Sequence, residues 1–315
     1  MSDKIKIVAV VGPTASGKTA LSIALAKRFD GEIVSCDSMQ VYKRMDIGTA
    51  KPTAEEMDGV PHHLIDIAEP DTVYSCAEYV CDAKEAIKDI VSRGKLPILC
   101  GGTGLYLDSL LRGGSFEVTD TDPEYREKMM RLAAENGNAS VHSMLKEIDP
   151  ESAAAIHPNN VKRVIRALEI YKTTGKTKTE LDRLSLESES DYDALVIGLR
   201  YEDRDRLYER IDKRVDMMLE MGLEREIRGL LDEGVFDSSG TATQAIGYKE
   251  LLGYIKGETP YEEAVSLLKQ STRRYAKRQL TWFSNHSNVT WIDVKNENNF
   301  EQILNIAENL FINSV

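Results

Sequence analysis

Residues 5–19 read Ile5-Lys6-Ile7-Val8-Ala9-Val10-Val11-Gly12-Pro13-Thr14-Ala15-Ser16-Gly17-Lys18-Thr19, an apolar run set directly against a glycine-bounded turn. Ile5 to Val11 is interrupted by Lys6 and is far too short to cross a bilayer, so it reads as a buried strand and not as a leader or a membrane span. Gly12 to Thr19 fits G-x-x-x-x-G-K-[ST]. Such a loop wraps a polyphosphate with backbone amides and the following helix N-terminus, its lysine neutralises charge, and its last hydroxyl can hold Mg²⁺. The whole octet, Gly12, Pro13, Thr14, Ala15, Ser16, Gly17, Lys18 and Thr19, is therefore a candidate diphosphate site, with Thr19 as the candidate metal ligand. Helical character follows from Ala20 to Arg28, closed by Asp30-Gly31.

Beyond this unit the pattern repeats. Glu32 to Val34 reads as a second strand, and Ser75 is placed to cap a helix in which Tyr79, Val80, Ala83, Ile87 and Val91 recur at helical spacing before Gly94. Leu96 to Cys100 reads as a third buried strand and ends in Gly101-Gly102-Thr103-Gly104. Alternating strands and helices predict an α/β fold, a P-loop NTPase-like parallel-sheet core whose ligands bind at the strand ends.

From about Phe116 to Asp191 the texture changes to charged helices. Asp122-Pro123-Glu124 and Asp149-Pro150-Glu151 are helix starts, and Val161, Val164, Ile165 and Leu168 form the apolar stripe of another helix. Strand character returns at Asp193 to Leu199 and again at Val289 to Val294, before a last helix. The expected organisation is residues 1–115 and 192–315 as the catalytic core with helical C-terminal region, and 116–191 as an inserted all-helical domain.

The 315 residues are 42% hydrophobic and 29% charged, with 21 Gly and 9 Pro, which excludes disordered and collagen-like chains. Cys36, Cys76, Cys81 and Cys100 form no C-x-x-C pair and lack zinc spacing, so they are expected as reduced structural thiols in the cytosol. The formal charge of −12 argues at first against a nucleic-acid partner. Two basic islands oppose that average. Lys162, Arg163, Arg166, Lys172, Lys176 and Lys178 face only Glu169 within their stretch, and Lys269, Arg273, Arg274, Lys277 and Arg278 have no acid among them.

A nucleotide hydrolase needs an Asp at a strand end to help hold its metal. Leu96 to Cys100 ends in Cys-Gly-Gly, and Leu64-Ile65-Asp66 is a weak substitute, which counts against ordinary nucleotide hydrolysis. Asp37, directly after the second strand, stands where a general base could work beside a phosphate loop; a turn or capping role is the alternative for that residue taken by itself.

The ordered set GPTASGKT, DSMQVY, GTAKP, GVPHHLID, GGTGLY, HPNNVKRVIRALE, the RxxxRVDxML stretch around Arg210 and Arg214, QAIGYKE and KRQLTWF resembles the bacterial tRNA dimethylallyltransferase family, the isopentenyl-tRNA transferases, from Lys4 to about Asp293. The resemblance implies transfer of a dimethylallyl group from dimethylallyl diphosphate to N6 of the adenine 3′ of the anticodon, with release of diphosphate and with Mg²⁺ as cofactor. It implies Asp37 as base, Thr103 as an assisting residue, and Lys18 and Arg214 on the diphosphate. Thr14 is expected to steady the Asp37 carboxylate or the amine. Contacts to the tRNA anticodon stem-loop are implied for Asp37, Ser38, Met39 and Gln40, for Thr103 and Arg126, and for Lys162, Arg163, Val164, Ile165 and Arg166. They are also implied for Gln244, Ala245, Ile246, Gly247, Tyr248 and Lys249, and for Arg273, Arg274, Lys277 and Arg278. A cytoplasmic monomer that meets no membrane is expected.

Two other classes compete. A small-molecule or nucleotide kinase on the same loop would turn over ATP, and a tRNA-binding module without catalysis would be indifferent to Asp37. His62 and His63, adjacent on an extended segment, point oppositely and are expected as structural or substrate-lining residues, not joint metal ligands. Tyr106, Trp282 and Phe283 are expected in the core. No Cys follows Cys100, so the zinc finger of the eukaryotic relatives is not expected.

Overall fold

Every strand of the sheet runs parallel to its neighbours in the computed structural model, which describes residues 4–112, 122–187, 189–237, 240–285, 288–295 and 299–314. The strands are β1 (Ile5–Val11), β2 (Gly31–Ser35), β3 (His62–His63), β4 (Leu96–Gly101), β5 (Tyr192–Tyr201) and β6 (Val289–Val294), in the order β3-β2-β4-β1-β5-β6. Parallel sheets are covered on both faces, and β1 shows why its sequence is apolar throughout. Ile7, Ala9 and Val11 pack into a core with Tyr79, Ala83 and Ile87 of the helix Cys76–Ser92, and with Tyr106 and Phe283. Val8 and Val10 pack on the other side with Leu21 and Leu25 of the helix Lys18–Arg28 and with Leu304 and Ala307 of the helix Phe300–Ile312.

Register brings the site together. Val11 lies opposite Gly101 on one side and Gly198 on the other, and Ser35 lies opposite Cys100. The chain therefore leaves β1, β2 and β4 at one edge, which carries the phosphate loop, Asp37 and Thr103. The segment after β2 is anchored there by Val41, Tyr42 and Met45, buried among Val215, Leu223, Ile227 and Tyr248 of the C-terminal helices.

The chain divides into two compact units, one comprising Met1–Leu111 with Tyr192–Val315, the other Arg112–Asp191. The boundary expected at 115/116 falls outside the described residues. The second unit is helical, with the helices Pro123–Asn136, Asn138–Ile148, Pro150–Ala155, Val161–Thr174 and Lys178–Glu187. Met129, Val141, Leu145, Val164, Ile165 and Leu168 fill its core. Asp122 and Asp149 cap the helices that begin at the two Asp-Pro-Glu signals, accepting the N–H groups of Tyr125 and Ser152.

Three local expectations are revised. The first helix starts at Lys18, not Ala20, because Gly17 takes the left-handed conformation of its N-cap. A further helix, Gly104–Leu111, begins at the last glycine of GGTG. Trp282 is 36% exposed instead of core: its ring packs against Gly104, in the space a side chain there would fill, and its indole N–H donates to Asp108 Oδ2 at 2.9 Å.

Candidate active site

At the end of β1 the chain must pass close to β5. Gly12 has φ of 145°, and a Cβ there would stand 2.7 Å from the Leu199 carbonyl oxygen, so only glycine can turn at this point. Ser16 N–H closes the loop on the Pro13 carbonyl at 3.2 Å. Ala15 sits at a positive φ of 62°, and its carbonyl accepts Arg210 Nε–H at 2.9 Å. Arg210 thereby holds the loop from the helix Arg204–Met221, its guanidinium over the Tyr201 ring. The loop then delivers the unpaired amides of a helix N-terminus into the cradle. Ser16 Oγ is buried there with no hydrogen-bond partner among the described residues, an orphan that a phosphate oxygen would satisfy.

Among the described residues, Lys18, Arg214 and Asp37 are charges that act on one another beside the loop. Burial pushes the Lys18 ammonium below the usual lysine range; Arg214 adds to that push, while Asp37 opposes it. Arg214 lies one turn beyond Arg210, and burial likewise pushes its guanidinium down, with Asp37 and Glu56 opposing and Arg210 adding to the effect. Desolvated cations of this kind gain most from an anion that enters with its charge spread over several oxygens.

Asp37 follows β2, and its Oδ1 accepts Met39 N–H at 2.9 Å in a tight turn. Oδ2 accepts no hydrogen bond among the described residues, which leaves it available to take a proton. Thr103 is tied to the same segment. Its N–H donates to the Cys36 carbonyl at 3.1 Å, and its hydroxyl accepts Ser38 N–H at 3.0 Å and lies 3.3 Å from Ser38 Oγ. Thr103 thus knits the GGTG loop to the Asp37 loop. Thr14, expected beside Asp37, engages through its backbone: its N–H donates to Gln279 Oε1 at 2.8 Å. Thr19 lies half-buried in the first turn of the helix, with its hydroxyl beside Cys100.

Some of the candidate tRNA residues are core residues. Val164, Ile165, Ala245, Gly247 and Tyr248 are buried, so they shape the surface without presenting side chains to it. Tyr248 donates its hydroxyl to Glu226 Oε1 at 2.6 Å, and the Glu226 carboxylate also accepts the N–H groups of Asp46, Ile47 and Gly48. The GTAKP and QAIGYKE motifs meet through this one carboxylate. Gln40 is turned inward, its Nε2 donating to the Ala50 carbonyl at 3.2 Å. Met39 is half-buried, and Gln244 and Lys249 are exposed.

The basic islands are partly neutralised. Arg126 and Arg166 both bind Glu169, and Arg273 binds Asp212 through both carboxylate oxygens. Lys162, Arg163, Arg274 and Lys277 are exposed and make no ion pair among the described residues. Arg278 is exposed and stacks over Tyr275. His62 and His63 point apart as expected, to the Val60 carbonyl and to Glu32.

The sequence reading assigns no role to Gln279 or Tyr275 and names Arg210 only as part of a motif. Gln279 does carry a signal: it interrupts the apolar stripe Ala264, Leu268, Ala276, Phe283 of the helix Tyr261–Ser284, and a polar residue on a buried stripe implies a partner.

The family model described as IPP transferase matches residues 40–286. A Bacillus cytotoxicus protein named tRNA dimethylallyltransferase is 53% identical over 306 residues, 96% of this chain and 95% of its own length. The crystal structure of the full-length tRNA isopentenylpyrophosphate transferase from Bacillus halodurans aligns with a TM-score of 0.74 at 48% identity, covering 99% of this chain and 97% of that one. A eukaryotic dimethylallyltransferase, described from crystallographic snapshots as acting on tRNA, aligns with a TM-score of 0.82 at 31% identity, covering 98% of this chain and 80% of its own.

Proposed function

This chain belongs to the IPP transferase family, and from that premise we infer that it is a tRNA dimethylallyltransferase, an enzyme that prenylates tRNA. The kinase reading is not favoured by these relatives. The finer reading is that the donor is dimethylallyl diphosphate and the acceptor is N6 of the adenine immediately 3′ of the anticodon. One observation of this chain carries it: Lys18, Arg214 and the buried Ser16 hydroxyl, unpartnered among the described residues, gather at the phosphate loop within electrostatic reach of the Asp37 carboxylate.

Adenine's amino lone pair is delocalised into the ring, so N6 must be held in line and lose its proton as it attacks. The N6–C1 bond forms while the C1–O bond to diphosphate breaks, and the N6 proton passes to Asp37 Oδ2. Negative charge grows on the departing diphosphate, where Lys18, Arg214 and the loop amides stabilise the transition state more than the ground state. The acceptor base must first leave its stack, which costs less in a single-stranded loop.

Mg²⁺ suits this donor set. It binds phosphate-rich sites through one or two protein oxygens, with waters and substrate oxygens completing its shell. Among the described residues no group of three or more His, Cys, Asp or Glu side chains could hold a metal by itself, and Thr19 offers one hydroxyl beside the loop. Thr19 would hold the ion, and the ion would supply positive charge at the diphosphate. No described helix is long and apolar enough to cross a membrane; the reading places the enzyme in the cytoplasm as a monomer.

The test is incubation with Mg²⁺, dimethylallyl diphosphate and an unmodified anticodon stem-loop, with parallel reactions on ATP and small acceptors. N6-dimethylallyl adenosine in the RNA is the expected product. Phosphoryl transfer from ATP without RNA prenylation would overturn the reading.

A further inference from the structure

We propose that Gln279 is a positioning residue for prenyl transfer, a single side-chain amide that sets the phosphate loop against the loop bearing Thr103 and so fixes the leaving group relative to the base. The proposal rests on the transferase reading and adds a residue to it. Gln279 lies on the buried stripe of the helix Tyr261–Ser284 and is 4% exposed. A buried amide without partners is costly, and this one is satisfied at both ends. Its Oε1 accepts Thr14 N–H at 2.8 Å and its Nε2 donates to the Gly102 carbonyl at 3.1 Å. The partners dictate the orientation, because a backbone N–H can only donate and a carbonyl can only accept.

The surroundings are built for this contact. A Cβ at residue 102 would stand 2.0 Å from Gln279 Nε2, so the second glycine of GGTG clears space for the amide. Tyr275, one turn earlier on the same helix, brings its hydroxyl against Thr103 and Gln279. Thr14 N–H is turned toward Gln279, so this amide orients the loop from outside the cradle. Thr103 is bonded in turn to Cys36 and Ser38, which flank Asp37. The linkage runs from the phosphate loop through Gln279, Gly102 and Thr103 to the base. In-line displacement is sensitive to that spacing, and a displacement of about 1 Å costs about 100-fold in rate.

The experiment measures prenylation of an anticodon stem-loop by the wild-type chain, Q279M and Q279E between pH 6 and pH 8.5, with melting temperatures to monitor folding. Q279M nearly conserves volume and removes both hydrogen bonds. Its kcat is expected to fall about 10- to 100-fold, with both KM values within about threefold of wild type. Q279E is the sharper probe. Its carboxylate can accept from Thr14 but cannot donate to Gly102, whereas its protonated form can do both. The ratio of Q279E to wild-type rate is therefore expected to rise about tenfold as pH falls across the range, following protonation of a carboxyl that burial favours in its neutral form. A kcat for Q279M within threefold of wild type overturns the proposal, as does a Q279E ratio that is flat with pH. If one variant does not fold, the other decides. Failure of the wild-type chain to prenylate would refute the transferase reading itself; undiminished transfer by the variants refutes only the role of Gln279.

Discussion

Glu169 and Arg166 are joined at 2.5 Å one helical turn apart, and the carboxylate is wholly buried while the guanidinium reaches the surface. Arg126 closes on the same carboxylate from the helix Pro123–Asn136, and Asp122 N–H adds a bond at 2.8 Å. Burial alone pushes the Glu169 carboxyl up, but the bonds from Arg126 and Arg166 outweigh it and hold the group below the usual carboxylate range. The only acid in the first basic island thus anchors two of the arginines expected to meet RNA.

Glu169→Ala removes a buried carboxylate and leaves two guanidinium groups that water can reach. The cost is therefore that of the lost charged hydrogen bonds, about 1–3 kcal/mol, and not the larger penalty of a stranded buried charge. Urea titration followed by circular dichroism is expected to show that loss. Stability within about 0.5 kcal/mol of wild type, the scale of an exposed pair, would mean that the carboxylate does not hold the unit together.

The same pairing divides the basic residues by role. Of the described residues, Lys162, Arg163, Arg274, Lys277 and Arg278 are exposed cations of the two basic islands that make no ion pair, whereas Arg273 is held bidentately by Asp212. Each phosphate contact adds about 0.7–0.9 to the slope of log affinity against log salt. The double substitution R274A with R278A is expected to weaken tRNA binding and flatten the slope by about 1.5, whereas R273A changes it little. Filter binding across a salt series reads both, and an unchanged slope in the double variant would make that face merely solvated.

Asp37→Asn keeps the turn, since the amide oxygen can still accept Met39 N–H, and removes the proton acceptor. Turnover is expected to fall by about 100-fold or more, the scale of a lost general base, with tRNA affinity unchanged. Single-turnover kinetics on a stem-loop measure the first and titration the second. Wild-type turnover in this variant would remove Asp37 from the mechanism.

Legibility in the sequence follows the range of the interactions. The apolar run before Gly12, the Ser75 cap and the Asp-Pro-Glu starts are local signals, and each marks an element the structure contains. The two-residue strand at His62–His63 is too short to have a periodicity of its own; it exists because β2 offers it hydrogen bonds. Trp282 reads as core by composition, yet its position over Gly104 depends on a contact across 178 residues of chain. Gln279 is harder still: its role lies in partners 265 and 177 positions away. The candidate residues were legible through ordered motifs, whereas the carboxylates that neutralise Arg126, Arg166 and Arg273 were not.

Glu32 supplies a pH signature independent of catalysis. It sits in β2, nearly fully buried, and accepts Arg93 Nη2–H at 2.8 Å and the His63 ring at 2.7 Å. The Arg93 bonds hold its carboxyl down at about 2, against a burial effect that opposes them. A depressed folded-state value means that the stabilisation is complete above the unfolded value of 4.5 and is lost as pH falls toward 2. Glu32→Gln carries no charge at any pH. Relative to wild type it is expected to lose at most about 3 kcal/mol at pH 7, and the gap should narrow to about half near pH ~3. Denaturant titrations at several pH values test this. A gap that stayed constant from pH 7 to pH 3.5 would show that packing, and not the charge on Glu32, accounts for the difference.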